Sequence, residues 1–388
     1  MARSDQILWL LVANTFTLLT IPGVALFYSG MVRRKNALNA MALPLSALLL
    51  ASIGWLCADD ASGVSRAVGL APDSGQDAGS LPSIFSAVAA ALALALVAGA
   101  VVERIRLPFF LLFGTLWMAL VYAPLASWLW GGGWLANLGS LDFAGGAVIH
   151  ISAGVAALVA AILIGPRKGF GRTDMMPHHL PLSICGAGFM WVGWWGFAGR
   201  PGAASMTAVT GAFVAIQLAA ASAALAWTAA EWLQRDKPTA LGTVSGAVAG
   251  LVAIAPAAGY VGPLSAMVIG IGAGGLCYMA VNFVKPILGY DDSLDVFGMH
   301  GVGGTWGMIS TGLFASTAVN PDGSDGLFYG YPYQFVAQVV AAVVAWAYAG
   351  VMTMLLIKAL QRLMPSRVDQ EAEILGLDLA QHGEKAYS

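Results

Sequence analysis

Charge is what this chain has least of. Lys, Arg, Asp and Glu make up 10% of its 388 residues, against 59% apolar residues and a mean hydropathy of +0.77. A chain so poor in charge cannot cover itself with a water-compatible surface, which excludes an ordinary soluble domain and leaves a polytopic membrane protein. Cysteine is nearly missing too. Cys57, Cys185 and Cys277 lie in or near different apolar segments without metal-ligand spacing, so neither a disulfide framework nor a cysteine metal site is implied. No nucleophile within those segments is accompanied by a base or a metal-ligand set, so an enzyme is not expected, nor a cofactor or bound metal.

What the chain has instead is long apolar runs. Segments able to cross about 30 Å of hydrocarbon as helices recur at 7–30, 37–58, 82–102, 108–129, 145–165, 180–198, 205–233, 240–256, 262–284, 297–316 and 331–362. This predicts an all-α polytopic membrane protein with eleven transmembrane helices; a β-barrel would show short alternating segments. Fifteen of the eighteen Lys and Arg residues follow odd-numbered spans, beginning with Arg33, Arg34 and Lys35. The positive-inside rule then puts the N-terminus outside and the C-terminus in the cytoplasm. Residues 7–30 are too long for a signal-peptide core and lack a small-residue cleavage motif, so they read as the first span of the mature chain.

Two histidines interrupt the apolar background. His150 ends the run Asp142-Phe-Ala-Gly-Gly-Ala-Val-Ile-His, and His300 ends Asp295-Val-Phe-Gly-Met-His. An ionisable residue inside a bilayer is costly to keep, and two of them point to a substrate or proton pathway with each as the other's partner. The layout suggests two inverted five-helix repeats plus an eleventh helix: halves at 1–172 and 173–325, a last span at 326–365, and a tail at 366–388. One histidine-bearing span then descends while the other ascends, and the rings meet near mid-membrane. Asp142 stands eight residues before His150, roughly 12 Å along a helix, and is expected to cap that helix. Glycine strings such as Gly270-Ile-Gly-Ala-Gly-Gly275 favour close helix approach in a membrane; with no strand before it, this one is not a nucleotide fingerprint. Trp128, Trp134, Trp191, Trp194 and Trp195 read as interface and packing aromatics. His178 and His179 read as part of a solvated loop, not a metal site.

Five motifs resemble the ammonium transporter (Amt/Mep/Rh) family. They are Pro22-Gly-Val-Ala-Leu-Phe-Tyr-Ser-Gly-Met-Val-Arg-Arg-Lys-Asn36, Val102-Glu-Arg-Ile-Arg106, Trp130-Gly-Gly-Gly-Trp134, the stretch from Leu141 to Gly154, and Asp295-Val-Phe-Gly-Met-His-Gly301. The resemblance implies a homotrimer in a bacterial cytoplasmic (inner) membrane, with ammonium or ammonia as substrate and a narrow pore in each subunit. By position, His150 and His300 match the family's twin pore histidines, Trp130 the aromatic of the outer recruitment site, and Asp142 the acid beneath it. Phe197 matches one of two stacked gate phenylalanines. Counting back from Glu103, the other falls on Ala89, with Phe85 one turn earlier on roughly the same helix face. The serine that usually completes the recruitment site falls on Pro201. In the tail, Gly376 and Asp378, followed by His382-Gly-Glu-Lys-Ala-Tyr387, match a regulatory segment that contacts neighbouring subunits and is associated with docking of a PII-type signal protein. Composition alone describes that tail as solvated and mobile. Beyond these partners and the lipid bilayer none is expected, and no nucleic acid.

The pore chemistry follows without the family. Moving a bare cation into a low-dielectric pore costs tens of kcal/mol in the idealised limit. Deprotonating a small amine of pKa about 10.4 at pH 7 costs only roughly 4–5 kcal/mol. A neutral amine then crosses while each imidazole offers one donor and one acceptor. Transport of ammonium or ammonia is the leading reading. A sensor with little or no transport, and a channel for methylammonium or another small neutral solute, stay open as alternatives.

Overall fold

The computed structural model describes residues 3–61, 81–199 and 206–387. Among them the regular structure is helical; the one extended pairing is an isolated bridge between Ile105 and Arg367. Eight helical stretches are long and apolar enough to cross a membrane: Ile7–Met31, Arg34–Gly54, Leu81–Val101, Leu107–Asn137, Gly146–Ile164, Thr207–Arg235, Pro263–Leu288 and Pro332–Gln361. Each coincides with an expected span. The other three expected segments are helical as well, at Leu180–Phe197, Ala240–Ile254 and Phe297–Gly301 running into Val302–Phe314.

Seven helices are named below: α1 (Thr20–Met31), α2 (Leu81–Val101), α3 (Ser152–Ile164), α4 (Leu180–Phe197), α5 (Met206–Arg235), α6 (Pro263–Met279) and α7 (Val302–Phe314). Helix α2 is almost entirely Ala, Leu, Val and Gly, and its side chains are buried from Ala87 to Val101. A helix apolar on every face belongs in the centre of a bundle, and that is where it sits. The glycine string in α6 acts as the sequence suggests. A Cβ at Gly270 or Gly274 would strike backbone oxygens of Ala219 or Ala223 on α5, so the two helices touch along their backbones.

Charge gathers at one end. Glu103, just past α2, accepts hydrogen bonds from Arg33 Nε at 2.8 Å, Asn36 Nδ2 at 2.7 Å and Arg167 Nη1. Arg167 also grips Asp291, through Nη2 at 2.7 Å and its own backbone N–H at 2.7 Å. Burial pushes both carboxyls up, yet the guanidiniums facing them outweigh it and hold Glu103 and Asp291 below the usual carboxylate range.

The tail is not a loose appendage. Gln370–Leu375 is a helix capped by Asp369, Leu377 is fully buried, and Asp378 Oδ1 accepts from Asn39 N–H at 2.9 Å. Glu373 receives Arg367 Nη2 at 2.7 Å and Lys168 N–H at 2.6 Å. The expectation of a solvated, mobile segment is therefore corrected. Its acids are met by the backbone N–H groups of Lys168 and Asn39 and by Arg367 within the segment itself, contacts that composition could not reveal. Gly376 turns at φ +108, and a Cβ there would collide with Lys35, so this position requires glycine. His178 is also less solvated than expected: its ring nitrogens reach Val32 O at 2.9 Å and Tyr387 Oη at 3.0 Å, while His179 caps α4.

Candidate functional site

The two buried histidines meet at the centre of the bundle. Their Nδ1 atoms lie 3.3 Å apart and their rings stack with centroids 5.3 Å apart. Each sits on a π-helical turn, Gly146–Ile151 for His150 and Phe297–Gly301 for His300. Such turns widen the helix locally and recur at functional sites. In a neutral pair with this contact, one Nδ1 donates and the other accepts.

The local architecture is the same twice. Eight residues before each histidine a buried aspartate caps the coming helix, Asp142 for His150 and Asp292 for His300. Asp142 accepts four backbone N–H groups, from Gly145, Gly146, Ala147 and Val148, at 2.6–3.1 Å; Asp292 accepts Phe297 N–H at 2.7 Å. Burial raises both carboxyls above their ordinary value against the pull of those donors. Five residues before each histidine the backbone turns left-handed, at Gly145 with φ +98 and at Asp295 with φ 60. Four residues after each histidine stands a glycine, Gly154 or Gly304. A Cβ on Gly154 would land on Gly301 N, and one on Gly304 on Gly146 O and His150 Cβ, so these two glycines let the π-turns cross.

The run opening on Asp295 hid the true counterpart of Asp142. Asp295 pairs with Lys285 at 2.5 Å, and Asp292 caps the helix. The repeated eight-residue spacing was visible in the sequence and identifies Asp292. The expected 12 Å helical run from Asp142 is also revised: the helix starts at Gly146, and Asp142 caps it from outside.

Aromatic rings close one side of the pair. Trp194 lies parallel to His150 with centroids 5.4 Å apart and is 2% exposed. It is therefore part of the site, where the sequence suggested only packing. Phe197 lies 5.9 Å from Trp194, and Phe85 meets Phe197 edge-on at 5.5 Å. Ala89 is fully buried on α2 one turn after Phe85; the ring against Phe197 belongs to Phe85. Further out, Trp130 donates from Nε1 to the Asp142 carbonyl at 2.7 Å, which ties the aromatic to the cap of the His150 helix. Pro201 lies outside the described residues. On the other side, His300 borders a cavity of about 340 Å³ whose lining includes Glu231, Arg235 and Asp295. The tail residues Gly376 and Asp378 belong to the charged end, away from the histidines. The column thus runs from Phe85 and Phe197 through Trp194, His150 and His300 into a cavity, an arrangement for passing something small and neutral.

The family model of the Ammonium Transporter Family matches residues 8–387. The chain is 44% identical to the ammonium transporter of Bacillus subtilis, with 100% of this chain and 99% of that protein covered. It is similar to the crystal structure of Candida albicans Mep2, at 35% identity and a TM-score of 0.85 over 98% of this chain and 90% of that one. A structure titled Sensor Amt Protein superposes with a TM-score of 0.87 at 27% identity, covering 98% of each chain. This integral membrane protein therefore belongs to the Ammonium Transporter Family, a family of transporters and not of enzymes.

Proposed function

We propose that the chain transports ammonium across the bacterial cytoplasmic membrane, releasing a proton at the pore mouth and passing neutral ammonia along His150 and His300. The observation that carries this reading is the 3.3 Å contact between two buried imidazoles beneath a column of aromatic rings. Among the described residues neither imidazole forms an ion pair. Without a fixed charge paired to these rings a cation gains no compensation for lost hydration at the centre, whereas losing a proton costs only roughly 4–5 kcal/mol at pH 7. Ammonia then moves as a hydrogen-bonding neutral, and the imidazole pair provides a route for the proton that ammonium gives up. Trp130 gathers the cation outside, by cation–π attraction worth about 0.5–2 kcal/mol. Phe85 and Phe197 form the gate, with Ala89 leaving it looser than two stacked phenylalanines would. Pro201 stands where the recruiting serine of the family is expected.

The same reading includes eleven spans in two inverted halves plus a last helix, with the basic end in the cytoplasm. The matching caps, left-handed turns and glycines around the two histidines support the repeat. It also includes a homotrimer and a PII-type signal protein meeting the docked tail near Gly376 and Asp378.

The test is charge movement on a solid-supported membrane with reconstituted liposomes given ammonium pulses. A saturable current that is lost in the His150→Ala, His300→Ala double variant supports the reading; unaltered flux and selectivity in that variant overturns the role of the pair. One observation favours a sensor instead: Ala89 at a gate position, together with the likeness to the Sensor Amt Protein. Ammonium binding without any current would establish that alternative.

A further inference from the structure

The cavity bordered by His300 has a mixed lining. Its lining combines His300 and the apolar or aromatic Tyr28, Met190 and Met299 with the polar Glu231, Arg235 and Asn282. Trp227, Glu231 and Arg235 are spaced by four on α5 and therefore share one helix face, which looks into the cavity. Glu231 is 5% exposed, and Thr239 fixes its carboxylate through backbone N–H at 2.9 Å and Oγ1 at 3.0 Å. Among the described residues it has no ion-pair partner. The other carboxylate lining the cavity, Asp295, is occupied by Lys285 at 2.5 Å, and Arg235 donates to Asn282 Oδ1 at 3.0 Å. Trp227 is 4% exposed and held edge-on by Tyr278 at 5.4 Å.

We infer that Trp227 and Glu231 form a second, inner binding site for a small monovalent cation of the ammonium class. The inference rests on the transport reading above. An aromatic face beside an unpaired carboxylate is the combination that recognises an ammonium ion: the ring quadrupole attracts the charge and the carboxylate accepts its N–H groups. Ammonia leaving His300 enters the cavity and regains there, through water, the proton that ammonium gave up outside and that the imidazole pair passed inward, so no hydroxide is left behind. The product is a cation beside Glu231, the first unpaired carboxylate on its way. Ammonium held there delays the next passage, so the inner concentration feeds back on uptake.

The experiment loads liposomes with ammonium chloride and measures how far the inward ammonium current falls, each variant being scaled to its own current with nothing inside. Internal ammonium should depress the wild-type current. Glu231→Gln, which keeps an acceptor for Thr239, should raise the half-inhibiting concentration by about tenfold, and Arg235→Gln should lower it several-fold by removing a positive neighbour. A structural role for either residue would not give opposite shifts. No inhibition in the wild type, or equal inhibition in Glu231→Gln, overturns the inner site. If current is missing even without internal ammonium, the transport reading fails separately. Crystals soaked in thallous acetate then decide the site alone: an anomalous peak between Trp227 and Glu231 that disappears in Glu231→Gln supports it, and no peak rejects it.

Discussion

The centre of the bundle and its basic end treat buried ionisable groups in opposite ways. At the basic end Glu103 and Asp291 share Arg167, with Arg33 and Arg104 beside them, and nearly every lone pair is answered by a guanidinium or an amide. At the centre, among the described residues, His150 and His300 hydrogen-bond through their rings only to one another, and His150 Nε2 has no hydrogen-bond partner. Saturated pairing makes a rigid plug of fixed charge, which suits a scaffold that anchors loops and tail. Sparse, neutral pairing leaves a spare acceptor or donor in the proposed path, which suits a group that must bind a passing molecule and let it go. The cost of each arrangement follows: the plug fails when one partner is removed, the pair when its spacing changes.

Removing a partner from the plug should have the largest effect. Arg167→Ala leaves two carboxylates buried without their shared cation, a loss of about 3–5 kcal/mol. The thermal midpoint in detergent should fall sharply, or no folded protein should be recovered; an unchanged midpoint would mean that the network stabilises little. Changing the spacing at the centre comes next. Gly304→Val places side-chain atoms where Gly146 O and His150 Cβ now lie, pushing the π-turns apart. Ammonium current should drop by at least about tenfold while the protein remains folded, since small misplacements of reacting groups are costly. Full current in this variant would show that the rings need not touch.

Acid should separate the two regions more gently. Glu103 and Asp291 are held below their ordinary values when folded, so their stabilising contribution is present above about pH 4 and lost as pH falls through the lowered values. Melting midpoints from pH 7 to pH 3 should be flat at first and then decline. A midpoint that is flat to pH 3 would contradict the assigned directions. The smallest expected effect lies at the proposed outer gate. Ala89→Phe adds a ring one turn from Phe85 and should lower the ratio of methylammonium to ammonium current several-fold. No change would mean that Phe85 and Phe197 already set the selectivity.

Much of this was readable in advance, for definite reasons. The spans are long and uniformly apolar, so their positions survive any detail of packing, and the eight helices long enough to cross coincide with expected segments. His150 and His300 were conspicuous because nothing polar surrounds them in the chain. Trp194 was not, because a tryptophan in an apolar helix looks like any packing residue until its ring is found on an imidazole. Phe85 stood one turn away from the position indicated by counting, and only the approach of α4 to α2 shows which ring meets Phe197. The tail misled because composition records its acids and not the backbone N–H groups of Lys168 and Asn39 that receive them.

By itself, then, the sequence determined a helical membrane protein with two isolated histidines, since hydropathy and the cost of burying an ionisable group act on each segment alone. Only the tertiary structure decided that the two rings touch, that Trp194 covers one of them, and that Trp227 and Glu231 share a cavity with the other. Those facts depend on where separate helices cross, and the crossing is set by glycines such as Gly154 and Gly304 that meet segments far away in the chain.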